Sequence, residues 1–389
     1  MVNALLVISL IFFFALAVIN LGLFHYQAAQ RQAQSMQALE SAQNGLSEAV
    51  RQLSADPTCS PVILTNDYQV RFGPGQSTNN LAGFLPVTGW NGRVVPAHCA
   101  HIVAQGFTPG GGHRMVEAIV HLEALPFPVQ SAGSVLGHTM TVAGAGSAAL
   151  YESEGAKLPG SIYAGGGVCL DGGGLVSGGI RTPGTIQVSA DVTVTGKLEE
   201  GSTPLDVPDM DISRFDNSGV AGVRVLASGT YTGLAPLRGE VYIDGDARFV
   251  GGLVLDSAIV YVGNGGKLTV DGPVTGKGTL FVTGQTSLAS GVMVNDDSQI
   301  AIFSQKELEI TNSALPLVSV FQGVLYSQAK IKLGPAVTVL GAVISRSDLE
   351  FSRLNQIVNI PEHEAFASYW LARGAGGAPV KRDYWAELP

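Results

Sequence analysis

The sequence predicts a mainly β protein: a right-handed parallel β-helix, with a small antiparallel sheet between it and a long N-terminal transmembrane and amphipathic α-helix. Three observations carry this. Residues 1–53 contain no proline and open with an uncharged, largely apolar run from Met1 to Phe24. Strand-like apolar positions recur about every twenty residues between Gly239 and Arg353, about three short strands per turn, which is how a solenoid repeats. Glycine supplies 50 of 389 residues and charged residues only 14%, a composition that favours many short strands joined by tight turns.

The helix comes first. Twenty-four residues at about 1.5 Å each reach about 36 Å, enough for a hydrocarbon core of about 30 Å. The helical pattern then continues through a Gln- and Ala-rich stretch. Leu39, Ala42, Leu46, Ala49 and Leu53 recur at alternating spacings of three and four, a packing seam that starts where the membrane ends. A cleaved signal peptide would need a basic start, a shorter apolar core and a small-residue cleavage site, and none is evident, so the expectation is a retained anchor. Arg31 is the one basic residue near the span and taken alone favours a cytoplasmic C-terminal side.

Residues 55–130 form the next unit. YQVRF, HCAHIVAQGF and RMVEAIVHLEA read as strands; in the last, Val116, Ala118, Val120 and Leu122 share one face while Glu117, His121 and Glu123 share the other, the alternation of a half-buried antiparallel strand.

The β-helix is assigned to 131–353. Its predicted core ladder is Val260, Phe281, Ile302, Leu325 and Ile344. A second series runs Leu268, Leu288, Leu308, Ile331 and Leu349, and a third Val254, Val274, Met293, Leu315 and Val337. The period fails between 199 and 238, where Pro204, Pro208 and several acidic residues suggest an inserted loop. Residues 354–389 supply a capping helix, PEHEAFASYWLARG, and a tail; the helix starts on a proline, stops at Gly374, and is expected to cover the sticky end of the solenoid.

Chemistry-bearing constellations are scarce. The formal charge of −9 and the lack of a Lys/Arg cluster exclude nucleic acid as a partner. Cys59 and Cys99 flank one small segment and are a candidate disulfide if the domain lies outside the cytoplasm, leaving Cys169 as a buried thiol; three unpaired thiols is the equal alternative. His98, Cys99 and His101, with Cys59 and His113, lack the ordered spacing of a zinc site. Asp244, Asp246, Asp256, Asp271, Asp296 and Asp297 sit beside turn residues without evident basic partners, unlike the groove of a polysaccharide-active β-helix enzyme. The Gly-rich runs lack the Lys-Ser/Thr ending of a phosphate loop. No catalytic, cofactor or metal residue is assigned.

In texture the chain resembles the PilX-like minor pilins and related type IV pilus assembly proteins. The resemblance rests on the apolar helix running into SMQALESAQNGLSEAVRQL, on the strands IVAQGF and VEAIVHL around a Gly-containing hairpin, and on FQGVLYSQAKIKLGPAVTVLGAVIS. Pilins carry a short basic leader and an acidic residue at the fifth mature position; this chain begins in the apolar run and has Leu5. What the resemblance implies is a single-pass inner-membrane protein with an extracytoplasmic C-terminal domain. Its implied partners are the lipid bilayer and other pilin-like or pilus assembly subunits, and its role is adhesion, capping or assembly without enzymatic activity. The runner-up is a bactofilin-like cytoplasmic scaffold of β-helices, and the third reading a surface polysaccharide-active enzyme.

Overall fold

The computed structural model describes residues 2–122, 127–144, 160–289, 298–311, 319–378 and 380–388. Helix α1 spans Val2–Ala55 without a break. Gly45 lies within it, and the ring of Tyr68 occupies the space a side chain there would take, 2.7 Å from an added Cβ. Seven short strands follow: β1 (Ile63–Leu64), β2 (Tyr68–Val70), β3 (Thr78–Asn80), β4 (Val87–Thr88), β5 (Val94–Val95), β6 (Cys99–Phe107) and β7 (His113–Leu122). β1, β2, β6 and β7 form an antiparallel sheet in that order, with β3 also on β6, and β4 and β5 pair separately.

The last strand of this sheet comes from the far end of the chain. Val380–Leu388 pairs antiparallel with β7, setting Val380 opposite Leu122. The expected C-terminal tail is therefore a sheet strand. The whole solenoid is an insertion between two neighbouring strands of the small sheet, so the small unit is not confined to 55–130.

The solenoid is a parallel β-helix whose coils do not stack in chain order. Strand Ser319–Ser327 pairs with Val337–Ser345, whose end then pairs with Val129–Ser131, and that strand pairs with Ile162–Ala164. Coils from about 129 to 199 thus continue the stack beyond residue 359. One inward column shows the result: Arg224, Val241, Val260, Leu280, Ile302, Leu325, Val343, Val129, Ile162, Ile180 and Leu198 follow one another in register. All but the two end members are buried in one apolar core.

The predicted ladder meets this column at Val260, Ile302 and Leu325. Phe281 and Ile344 are each one residue out: Leu280 and Val343 hold the inward positions, while Phe281 and Ile344 point the other way into a second core. The cause is that this solenoid wall is covered on both sides, so apolar residues occupy both faces and the alternation that would mark the inward one disappears. In the second series Leu288 lies in the neighbouring inward column, and Thr286 takes the place between Leu268 and Leu308. Met293 and Leu315 of the third series lie outside the described residues.

At the turn beside the main column, Ser131, Ser304, Ser327 and Ser345 are buried. Each hydroxyl donates to a backbone carbonyl: Ser131 to Ser347, Ser304 to Gly284, Ser327 to Lys306 and Ser345 to Ala329. Burying these hydroxyls unpaired would cost about 1–3 kcal/mol each.

The expected insertion at 199–238 is a return segment. After Leu198–Glu199 the chain climbs the outer wall and re-enters the solenoid at Arg224–Thr232. The Tyr163 hydroxyl donates to the Leu205 carbonyl, the Tyr326 hydroxyl to that of Pro208, and Arg346 to that of Val207. Phe215, in the short turn Ile212–Phe215, stacks on Phe281 at 4.2 Å. Helix α2 (Pro361–Ala375) does not cap an end. It lies on the same wall beside this segment, with Trp370 edge-on to Phe215 and Phe281, and its C-terminus is set by Gly376 at φ 86°. Gly374, the expected stop, is inside the helix and packs against Met210.

Candidate membrane and assembly surface

Helix α1 changes character along its length. Leu10, Phe12, Phe13, Phe14, Leu16, Val18, Ile19, Leu21, Leu23 and Phe24 are all exposed, Phe14 at 71%. Among the described residues this is the one helix long and apolar enough to cross a membrane, and none of its apolar window is buried by the rest of the chain. Contiguous apolar area on this scale is stable in lipid or against other helices rather than in water.

From Ala38 onward one stripe turns inward. Ala42, Leu46, Ala49 and Leu53 are buried and Leu39 is half-buried, all within the cluster that includes Val70, Ala104, Val116, Ala118 and Val120. The structure brings the predicted seam together, and its partner is the chain's own sheet. Gly106 of β6 makes the approach possible, because a Cβ there would strike the Ala38 carbonyl and the Ala42 amide of the helix backbone. Two polar clasps hold the ends: Arg114 Nε donates to Ser35 Oγ at 2.7 Å, and Ser54 Oγ donates to the Ala378 carbonyl at 2.6 Å.

The cysteines and histidines do not converge. Cys59, Cys99 and Cys169 are free thiols, and the Cys59–Cys99 bridge is not formed. Cys59 follows α1 and packs on the helix-facing cluster, whereas Cys99 packs with Val95 and Ile119 on the opposite face of the sheet. Cys99 stands opposite His121, whose Nδ1 is 2.7 Å from Asp383. A nucleophile, base and carboxylate thus share a sheet face, but burial, then Asp383, pushes the Cys99 thiol up to about 11, and it makes no hydrogen bond to His121. Among the described residues no group of three or more His, Cys, Asp or Glu is placed to hold a metal.

His98 and His101 separate as well. His98 lies between the small sheet and the solenoid, with Nε2 2.9 Å from Gln299 and its ring against Phe84 and Phe366. His101 is fully buried with Nε2 2.9 Å from Glu117, and burial pushes its imidazole down. Glu117 was expected on the solvent face and is 1% exposed. Arg93 explains it: its guanidinium pairs with Glu117, bonds the Tyr384 hydroxyl at 3.1 Å and lies over the Tyr384 ring. Sequence reading missed this clip because its members come from four segments with no shared spacing. His113 stays at the exposed start of β7.

The solenoid aspartates serve turns and surface ion pairs. Asp246 accepts from the Lys267 amide, Asp256 pairs with Arg238 at 2.6 Å and Asp271 with Arg248 at 2.6 Å. The basic partners missing from the sequence pattern are therefore present as exposed pairs. Asp296 and Asp297 lie outside the described residues.

No protein-family model matches the chain, and no curated protein matches it. Among solved structures it is similar to the competence-associated pilin ComZ from Thermus thermophilus, at 12% identity and TM-score 0.38, covering 91% of this chain and 97% of that one. It is also similar to an ice binding protein from an Antarctic Biological Consortium, at 11% identity and TM-score 0.29, covering 62% and 90%. At these scores neither likeness says what this chain does, and membership of the PilX-like family is not shown.

Proposed function

We propose that this protein is a membrane-anchored, non-enzymatic component of a type IV pilus or related assembly system. In this reading α1 supplies anchorage and lateral packing, and the solenoid is presented outside the cytoplasm for adhesion, capping or assembly. The observation that carries it is the division of α1: an apolar half that, among the described residues, the rest of the chain leaves uncovered continues directly into a half bolted to the small sheet. Any force or contact acting on the helix is thereby passed to the sheet, and from the sheet to the solenoid inserted between two of its strands.

The test combines fractionation with protease access. Full-length protein should stay with the inner membrane through a high-salt wash, and its C-terminal domain should be cut by protease added to spheroplasts. Substituting Phe12, Phe13 and Phe14 by Asp should release it. A wild-type chain found in the soluble fraction, or a domain protected until the inner membrane is opened, would refute the assignment.

A further inference from the structure

Each end of the solenoid is an open coil among the described residues, since α2 lies along the wall. At one end, the register pairs Arg224–Thr232 with Leu237–Val250 alone among the described strands. At the other, Ile186–Val188, Val192–Val194 and Leu198–Glu199 each have a strand partner on one side only, and the Ile186 amide donates to Glu200 Oε1 at 2.6 Å. Unpaired strand edges of this kind are templates for another chain.

We propose that copies of this protein associate head to tail, the Arg224 end of one copy seating on the Leu198 end of the next. The proposal goes beyond anchorage and does not depend on it.

Register supplies the first reason. The main inward column begins at Arg224 and ends at Leu198, which is 53% exposed. A second column runs from Gly229 through Ala247 and Leu268 to Val168 and Ile186, and a third from Tyr231 through Phe249 and Val270 to Leu170 and Val188. Continuing the stack into a second copy therefore sets Leu198 against the stem of Arg224, Val188 against Tyr231, and Ile186 over the open space at Gly229. A large side chain meets a gap, and an apolar edge meets an aromatic ring.

Charge supplies the second. From 219 to 236 Arg224 is the sole charged residue, while 186–202 holds Asp191, Glu199 and Glu200 against Lys197, a net of −2. Arg224 stands at the end of a core column and makes no ion pair among the described residues. With its stem on Leu198, its guanidinium reaches Glu199, whose carboxylate Arg181 meets only at 3.9 Å, and Glu200, which already accepts from the Ile186 amide. Pairing like ends would instead oppose arginine to arginine or glutamate to glutamate. Charge thus selects the heterologous, open-ended contact. The molecule already contains such a joint, because Val343 stacks on Val129 with no direct chain connection between their coils.

The end of a solenoid is smaller than a standard protein interface, so the contact is weak in isolation and strengthened where anchoring concentrates the copies. The test is sedimentation velocity of the full-length protein in detergent over a concentration series. Wild-type protein should grow beyond dimers with concentration. Arg224→Glu alone, and Glu199→Lys with Glu200→Lys alone, should each remain single chains. Mixed in equal amounts the two variants should regain wild-type growth, since both junctions are again complementary. Wild-type protein that stays a single chain throughout would overturn the proposal. So would oligomers that persist in both variants, because those would be held by α1.

Discussion

Ile302 and Phe281 lie in adjacent coils yet answer to different cores. Ile302 sits between Leu280 and Leu325 in the inward column, and Ile302→Asp would bury a carboxylate with no partner. Its urea midpoint should fall by the equivalent of several kcal/mol. Phe281→Ala should cost about 3–5 kcal/mol for a different reason, since it removes the ring that Phe215 and Trp370 pack on. Protease sensitivity should then appear in 200–223 while the coils remain protected. A mutant equally protected in both places would show that the return segment is held elsewhere. His363 carries a pH prediction. Burial, and secondarily His98, holds its pKa at about 4 against 6.5. Because the folded form binds its proton less readily than the unfolded form, stability is fully present above about pH 6.5 and is lost as pH falls towards 4. The loss amounts to about 3 kcal/mol. His363→Gln should flatten that part of the stability profile, and an unchanged slope would place the titration elsewhere. The register error at Phe281 was unavoidable from sequence, because TLFV is apolar at both inward and outward positions when both faces are covered.

At the scale of elements, α1 was legible in its apolar span and its three-four seam, but the partner of the seam was not. A stripe of Leu39, Ala42, Leu46, Ala49 and Leu53 is the same pattern whether a neighbouring helix or the chain's own sheet covers it. The close approach is set by Gly106 on β6, a strand that begins well after the helix has ended at Ala55. Leu46→Gln and Leu53→Gln should therefore each destabilise the small sheet by about 1.5–3 kcal/mol, the burial of one leucine. Met36→Gln, on the exposed side at 65%, should leave the midpoint unchanged. Thermal melts of the full-length protein in detergent measure all three. A Leu46 variant as stable as wild type would mean the seam is not packed as described. Helix α2 was also readable, from its proline start and its apolar content. Its role was not, since an amphipathic helix looks alike on an end and on a wall.

The whole molecule is a small sheet opened at one hairpin to admit a solenoid, and that topology has no local signature. Periodicity reports that coils exist and how long each one is. It does not report their axial order, because Val343 and Val129 present the same kind of inward residue as any chain-consecutive pair. The one trace of the insertion is the C-terminal segment VKRDYWAEL, whose β-prone Val, Tyr and Trp follow a Gly-rich break. The pairing itself makes a test possible. Leu122 and Val380 are opposite one another in antiparallel register, so a two-residue type I′ turn in place of 123–379 should close β7 and the last strand into an ordinary hairpin. Excision exposes Phe84 and His98, which pack on Phe366 in the intact protein, so the shortened protein should be less stable than the parent while keeping the sheet. The decisive measurement is hydrogen exchange on β6 and β7: slow amides in the excised protein would establish that α1 and the sheet form a folding unit of their own, carrying the solenoid as cargo. Fast exchange throughout would make the contacts of α2 and the solenoid part of what folds the small sheet, and the two halves would then be one cooperative structure.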